Sequence, residues 1–287
     1  MAEDVIGGYK LVNCMHSGQT SQVWEVVEAA SARHFTMKIL LPEKVDDSDA
    51  RKQIKHEAYV GKQLAHPNII KIVAVGTEHK APYYVMEYFP AGSLKIRLIR
   101  KQFDFIRERI HSILKQAAIG LAYMNASGWV HRDVKPDNML VNSAGELRLI
   151  DFALALKIEK VGGFLSRLFR RKPIVQGTYS YMSPEQIRGE PLDSRADIYS
   201  YAAAAFELTT QRPPFRGSTM SELLQKQISE KAPSPQLFNA DLTDEFSNLV
   251  VKCLSKKREG RPETFHEVLK ALNALRVYKT DPVARSE

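Results

Sequence analysis

The spacing of hydrophobic and polar positions changes character near residue 92. Before that point, short runs rich in β-branched and aromatic residues alternate with polar turns, a pattern typical of strands. The runs that predict strands are 22–27, 35–40, 69–75 and 83–88. One helix is predicted over about 50–64, because acidic residues precede it and a His-Pro pair at 66–67 ends it. The turn at 90–93 indicates a boundary between two parts.

Beyond that turn the apolar positions follow the period of an α-helix. One apolar stripe, ended by Ser-Gly at 127–128, comprises Ile110, Ile113, Leu114, Ala117, Leu121 and Met124. Further helices are predicted over 184–188, 194–209, 218–229, 243–254 and 263–275. We therefore predict an α+β fold with a strand-rich first third and a helical remainder. The polar residues 276–287 are predicted to form a disordered tail.

Composition describes an ordinary soluble globular protein, with 44% apolar and 26% charged residues among 287. The net charge of +8 favours acidic partners or anionic surfaces, but no zinc-ligand set or aromatic RNP-like motif supports nucleic-acid binding. Cys14 and Cys253 are too few and too far apart for a disulfide framework. The N-terminus lacks a signal-peptide pattern, and the longest apolar run is too short for a bilayer, so we expect a cytoplasmic location.

Candidate catalytic side chains are concentrated in two segments. Residues 131–138 read His-Arg-Asp-Val-Lys-Pro-Asp-Asn, and residues 151–153 read Asp-Phe-Ala. Phosphoryl transfer needs such a set: a carboxylate to orient a hydroxyl, a cation near the moving phosphate and oxygen ligands for magnesium. The whole pattern resembles the catalytic loop and magnesium-binding motif of eukaryotic-type protein kinases. Lys135 is typical of the Ser/Thr branch of that family, and the chain as a whole resembles the family's bacterial members.

The resemblance covers residues 9–275 and implies the bilobal protein kinase fold. It implies a small β-rich N-lobe at 9–87, a hinge at 88–92 and a larger helical C-lobe at 93–275. The implied activity is transfer of the γ-phosphate of ATP to Ser or Thr hydroxyls of protein substrates, with autophosphorylation, and with Mg²⁺ or Mn²⁺ as the metal.

The resemblance also assigns roles to four residues of the two motifs. Asp133 would orient the acceptor hydroxyl, and Lys135 would neutralise charge on the transferred phosphoryl group. Asn138 and Asp151 would bind magnesium through oxygen atoms. Each of these residues alone would be an ordinary turn or strand-end residue. Because the four residues occur together at this spacing, the catalytic interpretation is favoured.

Lys38 ends the run Phe-Thr-Met-Lys at the position of the kinase lysine that contacts the α- and β-phosphates. Without context, a lysine on a strand is as often a solvated edge residue. The resemblance makes Glu57 its partner on the predicted helix, where the ion pair would position the ammonium group.

The nucleotide pocket is assigned by the resemblance alone, since apolar residues of this kind are most often plain core. Met86 would be the gatekeeper, the backbone of Glu87 and Phe89 would contact the adenine edge, and Val23 and Leu140 would enclose the ring. In the later part, Glu185 would pair with Arg261, and Asp197 would brace the catalytic loop. Ser183 replaces the alanine of the family's Ala-Pro-Glu motif.

Three departures from the family pattern bear on activity. Of the three glycine positions in the phosphate-binding loop, 16, 18 and 21, only Gly18 is glycine, which raises the prospect of weaker nucleotide binding. Ala153 replaces a glycine, so rotation of Asp151 out of the site should be harder. The segment 160–172 carries five basic residues and no acidic one. It is either a solvated activation loop or an amphipathic surface for an acidic membrane or partner.

Arg132 precedes the catalytic aspartate, an arrangement associated with phosphorylation of the activation loop. Ser166, Thr178 and Ser180 are the candidate regulatory residues. The rival to an active kinase is a pseudokinase, a kinase-shaped nucleotide-binding or scaffolding module, which the poor glycine loop and Ala153 favour. Docking of segment 160–172 on a membrane or nucleic acid is compatible with either function.

Overall fold

The computed structural model describes residues 5–158 and 179–281, which divide into two compact units. The first unit contains the described residues up to Ala91 together with Ile150–Leu154. The second contains the rest. Antiparallel sheet dominates the first unit and helices dominate the second, so the predicted α+β class is confirmed.

The first unit is built on a six-stranded antiparallel sheet. Its strands are β1 (Val5–Ile6), β2 (Tyr9–Ser17), β3 (Ser21–Glu28), β4 (His34–Leu40), β5 (Ile72–Glu78) and β6 (Ala81–Glu87). They are ordered β1-β2-β3-β4-β6-β5 across the sheet. Successive residues of a strand point to opposite faces, so each face has its own core. One core contains Val26, Met37 and Val85, and the other packs the sheet against a helix.

That helix is α1 (Ser48–Lys62), close to the predicted span of 50–64. The Asp47 side chain accepts hydrogen bonds from the backbone N–H groups of Asp49 and Ala50, which satisfies donors that have no partner within the helix. Ile54 and Ala58 are buried against Leu40, Ile72 and Tyr84 of the sheet. This packing presents one face of α1 to β4 and β6.

The second unit contains seven helices among the described residues, together with short strands. The helices are α2 (Leu94–Ile99), α3 (Phe103–Ala126), α4 (Pro184–Arg188), α5 (Ser194–Thr210), α6 (Met220–Ser229), α7 (Asp244–Cys253) and α8 (Phe265–Asn273). The strands are β7 (Gly92–Ser93), β8 (Trp129–Val130), β9 (Met139–Val141), β10 (Leu147–Leu149) and β11 (Leu156–Lys157). Strands β10, β9 and β7 form one small sheet, and β11 pairs with β8.

Helices α3 and α5 form the centre of the second unit. The whole predicted apolar stripe of α3 is buried, from Ile110 to Met124. Helix α5 is buried along almost its entire length, and its small residues at 202–205 permit close packing. Tyr201 of α5 donates a hydrogen bond to the carbonyl of Leu114 in α3. These two helices therefore fix the framework on which the loop at 131–138 is mounted.

Two predictions about elements were wrong in detail, and one helix was not predicted. The strand predicted at 69–75 occupies 72–78, because the turn that begins at His66 continues to Ile69, whose N–H donates to the His66 carbonyl. Helix α2 was not predicted, since six residues are too few to show a helical period. The predicted disordered tail begins too early, because Val277 and Tyr278 are buried and Tyr278 bridges to Leu242. Residues 282–287 lie outside the described part of the chain.

Candidate active site

Lys38 and Glu57 form a buried ion pair in the first unit. The Nζ of Lys38 lies 2.7 Å from Oε2 of Glu57, and the side chains are 19% and 3% exposed. Lys38 lies on β4 and Glu57 on the face of α1 that meets the sheet. The predicted pair is therefore present as a contact between the sheet and the helix.

Cross-strand pairing fixes the surroundings of this ion pair. Lys38 is opposite Val23 on one side and Tyr84 on the other, and Thr36 is opposite Met86. Directly paired residues lie on the same face of an antiparallel sheet, and so do residues two apart. One sheet face therefore carries the predicted phosphate-contacting lysine, the predicted gatekeeper Met86 and the predicted ring-covering Val23.

The charges near Lys38 outweigh the effect of its burial. Burial alone would lower the pKa of the ammonium group, but the carboxylates of Glu57 and Asp151 raise it above its ordinary value. Burial is also the main influence on Glu57 and raises its pKa, against the positive charge and the hydrogen bond of Lys38. With a 2.7 Å contact between them, the description that fits the geometry is a charged lysine held by a carboxylate.

Asp151, Phe152 and Ala153 belong to the same first unit as Lys38. Asp151 has a φ of 68°, in the left-handed region, and its Oδ1 accepts a hydrogen bond from the N–H of Ala153 at 3.3 Å. Ala153 itself has no positive φ, so the residue that replaces glycine carries no backbone strain here. Phe152 is completely buried. Its ring packs beside Gly61 of α1, where an added Cβ would lie 3.2 Å from it.

The predicted catalytic loop, in the second unit, is held together by Asp133. Lys135 Nζ lies 2.7 Å from Asp133 Oδ2. Asn138 donates from Nδ2 to the same oxygen at 2.9 Å and to the Asp133 carbonyl at 2.8 Å. Three residues predicted from the 131–138 motif are therefore in direct contact. With Nδ2 turned toward Asp133, the amide oxygen of Asn138 points away from it.

Asp197 braces this loop from α5, as the resemblance implied. Its carboxylate accepts hydrogen bonds from the N–H groups of His131 and Arg132 at 2.8 and 2.9 Å, and from Asn125 at 3.1 Å. These bonds stabilise Arg132 in a left-handed conformation, with φ of 68°. Burial raises the pKa of Asp197, although the bonds from the loop oppose that shift. The loop therefore takes its shape from a buried carboxylate on the central helix.

Glu185 and Arg261 form the buried bridge expected in the second unit. Both guanidinium NH groups of Arg261 donate to the carboxylate, at 2.6 and 2.9 Å, and the Arg261 side chain is fully buried. Burial would raise the pKa of Glu185, but the bonds from Arg261 lower it overall. Ser183, the departure from Ala-Pro-Glu, forms a capping box with Gln186 at the start of α4.

The residues of the predicted phosphate-binding loop lie in the β2–β3 hairpin. His16 pairs with Val23, and the N–H of Gly18 donates to the carbonyl of Ser21 at 2.9 Å. An added Cβ at Gly18 would meet Ser21 O only at 3.4 Å, so the hairpin itself does not require glycine there. His16 is exposed. The glycine at position 18 is thus not explained by packing within the hairpin.

The predicted hinge begins at the end of β6. The N–H of Glu87 donates to the carbonyl of Lys71, so any adenine contact from this residue would use its carbonyl. Phe89 is buried. In the second unit, Leu140 lies on β9 and is partly buried.

Several predicted residues concern regulation. Ser166, Thr178 and the basic segment 160–172 lie outside the described residues. Ser180 is described, within the short 3-10 helix Tyr179–Tyr181, and its carbonyl accepts a hydrogen bond from Gln227. The Arg132 carbonyl accepts a hydrogen bond from Gln186 of α4 at 2.9 Å.

The sequence did not indicate two residues that contact the candidate site. Gln186 joins α4 to the predicted catalytic loop through its hydrogen bond to the Arg132 carbonyl, and Tyr84 lies directly opposite Lys38 in the sheet. The available signal for Tyr84 is a tyrosine two residues before Met86, on the strand face that also carries Met86. A tyrosine in a strand is usually explained by packing alone, so the sequence does not single it out.

The two predicted magnesium ligands belong to different units, Asn138 to the second and Asp151 to the first. An amide oxygen and a carboxylate oxygen are both ligand types that magnesium prefers. Within residues 5–158 and 179–281, no group of three His, Cys, Asp or Glu side chains is placed to hold a metal ion.

The family model of the protein kinase domain matches residues 9–272. A probable serine/threonine-protein kinase of Clostridium acetobutylicum is 30% identical over 268 residues, covering 93% of this chain and 40% of that protein. A probable serine/threonine-protein kinase of Clostridium perfringens is 31% identical over 274 residues, covering 96% of this chain and 38% of that protein. The serine/threonine-protein kinase PrkC of Bacillus subtilis is 28% identical over 264 residues, covering 92% of this chain and 40% of that protein. The chain thus spans about two fifths of the length of these curated relatives.

None of the helices within the described residues combines the length and the apolar character needed to cross a bilayer.

Proposed function

Because the chain belongs to the protein kinase family, we propose that it transfers the γ-phosphate of ATP to Ser or Thr hydroxyls of proteins. The observation that carries this proposal is the arrangement around Asp133, whose carboxylate is held by Lys135 at 2.7 Å and Asn138 at 2.9 Å. A carboxylate fixed in this way can accept the hydrogen bond of an incoming hydroxyl and orient its oxygen. The similarity to bacterial serine/threonine-protein kinases supports the same acceptor class.

In the proposed reaction, Asp133 aligns the acceptor hydroxyl and receives its proton as the oxygen bonds to the γ-phosphorus. The bond between that phosphorus and the β–γ bridging oxygen breaks, and ADP leaves. Lys135 is placed to neutralise negative charge on the transferred group. Lys38, kept charged beside Glu57, contacts the α- and β-phosphates.

ATP and a divalent cation are the cofactors of the family, and we infer magnesium for this chain. Asn138 and Asp151 would each supply an oxygen ligand, and the bound cation would neutralise phosphate charge. For the nucleotide we assign Gly18 to the phosphate side, and the carbonyl of Glu87 with the backbone of Phe89 to the adenine edge. Val23 and Leu140 enclose the ring, and Met86 completes the assignment as the gatekeeper.

The proposed activity is tested by incubating the chain with Mg-ATP and a degenerate Ser/Thr peptide library, then mapping phosphorylated residues by mass spectrometry. Asp133→Asn is the matched control, because it keeps the size of the side chain and the contact with Asn138 but removes the proton acceptor. We expect Ser and Thr phosphorylation from the wild type and a loss of at least a hundredfold in the variant. Equal signal from the two proteins, or none from the wild type, would contradict the proposal.

The second candidate function is a pseudokinase that binds nucleotide or partners without transferring phosphate. The observation in its favour is the hairpin at His16 and Ser21, where two of the three usual glycines are missing. A chain that binds nucleotide but transfers no phosphate in the assay above would support it. Repeating that assay with Mn²⁺ in place of Mg²⁺ would test the choice of metal.

We further infer that protein substrates are the partners and that the location is cytoplasmic. Cys14 and Cys253 are free thiols, and ATP is the expected co-substrate. Regulation by phosphorylation at Ser166, Thr178 or Ser180, with Arg132 as the phosphate-pairing residue, is proposed on the resemblance. The same mass spectra would report those positions.

A further inference from the structure

The three-residue 3-10 helix of the second unit is held by side chains from α5 and α6. Gln227 of α6 donates from Nε2 to the carbonyl of Tyr179 at 3.1 Å and to that of Ser180 at 2.6 Å. Ser200 of α5 donates to the carbonyl of Tyr181 at 2.7 Å. Three successive carbonyl groups thus accept hydrogen bonds from two side chains. Both donors are buried, since Gln227 is 0% and Ser200 is 2% exposed.

The orientation of the Gln227 amide follows from its contact with Tyr199. Its Oε1 accepts a hydrogen bond from the Tyr199 hydroxyl, and that hydroxyl accepts one from the Lys256 amino group at 3.0 Å. Because the lysine is the donor in its contact, the tyrosine proton is left for Gln227. The amide oxygen is therefore directed at Tyr199, and the NH2 group at carbonyls that can only accept. A buried amide whose two ends are both used is fixed in its rotamer.

A second glutamine joins the same stretch of chain to the predicted catalytic loop. The N–H and the hydroxyl of Ser183 donate to Oε1 of Gln186 at 3.1 and 3.0 Å. Nε2 of Gln186 in turn donates to the carbonyl of Arg132 at 2.9 Å. Arg132 directly precedes Asp133. The segment 179–183 is therefore hydrogen-bonded to α6 and, through Gln186, to the loop that carries Asp133.

This segment borders the place that an acceptor must reach. Burial and the carboxylate of Glu207 raise the pKa of Tyr181, and the negative charges of Asp137 and Asp133 add to that shift. A Ser or Thr hydroxyl at Asp133 belongs to a chain that advances by at most about 3.3–3.6 Å per residue. The residues on either side of the acceptor must therefore pass over the groups that surround Asp133, and segment 179–183 is one of them.

We propose that Gln227 is a positioning residue for the protein acceptor, which holds segment 179–183 where it meets the residues next to the phosphorylated Ser or Thr. This inference rests on the proposed function. Gln227 acts through the two carbonyls that it binds. Without its NH2 group the segment is held in place in a smaller fraction of molecules, and the apparent affinity for the acceptor falls with that fraction. Because the predicted phosphate-contacting Lys38 belongs to the first unit, ATP binding should not depend on Gln227.

Gln227→Met tests this role, because methionine has a similar length and cannot donate to the carbonyls. Gln225→Met is the matched control, since Gln225 lies on the same helix, is exposed, and donates to Ser229 at 3.4 Å. The probe is the best Ser/Thr peptide from the library assay above. We expect Gln227→Met to raise KM for this peptide about tenfold, with kcat and KM for ATP within about twofold. Gln225→Met should leave all three constants within about twofold.

The split between the constants separates positioning from a general loss of stability. A partly unfolded enzyme would show a lower kcat per total protein and unchanged KM values. An unchanged KM for the peptide in Gln227→Met would overturn the proposal. So would an equal rise in KM for ATP, or a loss that Gln225→Met matches. Gln227→Glu keeps the acceptor for Tyr199 but has no donor, so it is the second variant if the methionine variant does not fold, with the same result expected.

A readout that needs no turnover is hydrogen exchange of the backbone amides in segment 179–183, followed by mass spectrometry. The N–H groups of Met182 and Ser183 are both hydrogen-bonded, so their exchange reports whether the segment keeps its place. We expect exchange about tenfold faster in Gln227→Met and unchanged in Gln225→Met. Equal exchange in wild type and Gln227→Met would refute the role of Gln227. A wild type that transfers no phosphate would instead refute the proposed function, and the exchange would still decide whether Gln227 holds the segment.

Discussion

At the scale of single residues, the buried Glu185–Arg261 bridge carries a sharp prediction about stability. Glu185→Ala would leave the fully buried guanidinium of Arg261 without its bidentate partner. Removing one member of such a pair typically costs about 3–5 kcal/mol, because the remaining charge stays out of water. We expect a loss of that size in the free energy of unfolding measured with urea.

The matched control is Glu190→Ala, on the nearby bridge to Arg258. That bridge is longer, at 3.4 Å, and its side chains are 25% and 40% exposed. Exposed pairs are worth at most about 1 kcal/mol. Equal losses for the two alanine variants would show that burial of the Arg261 bridge has no special energetic role.

At the scale of elements, the contact between α1 and the sheet depends on the missing side chain of Gly61. A Cβ there would lie 2.3 Å from Cδ1 of Ile72 and 3.2 Å from the Phe152 ring. Ile72 and Phe152 occupy the space that a larger residue would take, so α1 is closely packed at Gly61.

Gly61→Ala should therefore destabilise the first unit by about 1–3 kcal/mol through overpacking, despite the better helix propensity of alanine. Ile72→Val removes the clashing Cδ1 methyl group, so the double variant should recover most of the loss. Urea unfolding of the two single variants and the double variant measures this coupling. Additive losses would mean that Gly61 and Ile72 do not compete for the same space.

At the scale of the whole molecule, the order of elements was well predicted from the sequence, whereas contacts between distant elements were not. The helices at 184–188 and 194–209 were found within a residue, because caps and apolar periods are local signals. The contacts of Asp133 follow from a dense local motif. The close approach of Gly61 and Ile72 could not be foreseen, because it joins residues from different elements and depends on the packed structure.

Lys256 provides a prediction about the pH dependence of folding. It donates to the Gln227 carbonyl at 2.8 Å and to the Tyr199 hydroxyl at 3.0 Å, with Phe215 beneath it. Burial, assisted by Arg261, lowers its pKa to about 7. The unfolded chain, with an ordinary lysine pKa of about 10.4, then binds more protons than the folded chain over the interval between the two values.

Stability contributed by this group must therefore rise with pH between about 7 and 10, since unfolding takes up a proton there. Lys256→Met removes the titrating amine, while Arg261, Glu230 and Arg188, the charged groups that act on it, remain in both proteins. We expect the difference in unfolding free energy, wild type minus variant, to increase steadily from pH 7 to pH 10. Parallel pH curves for the two proteins would show that Lys256 has the same proton affinity folded and unfolded.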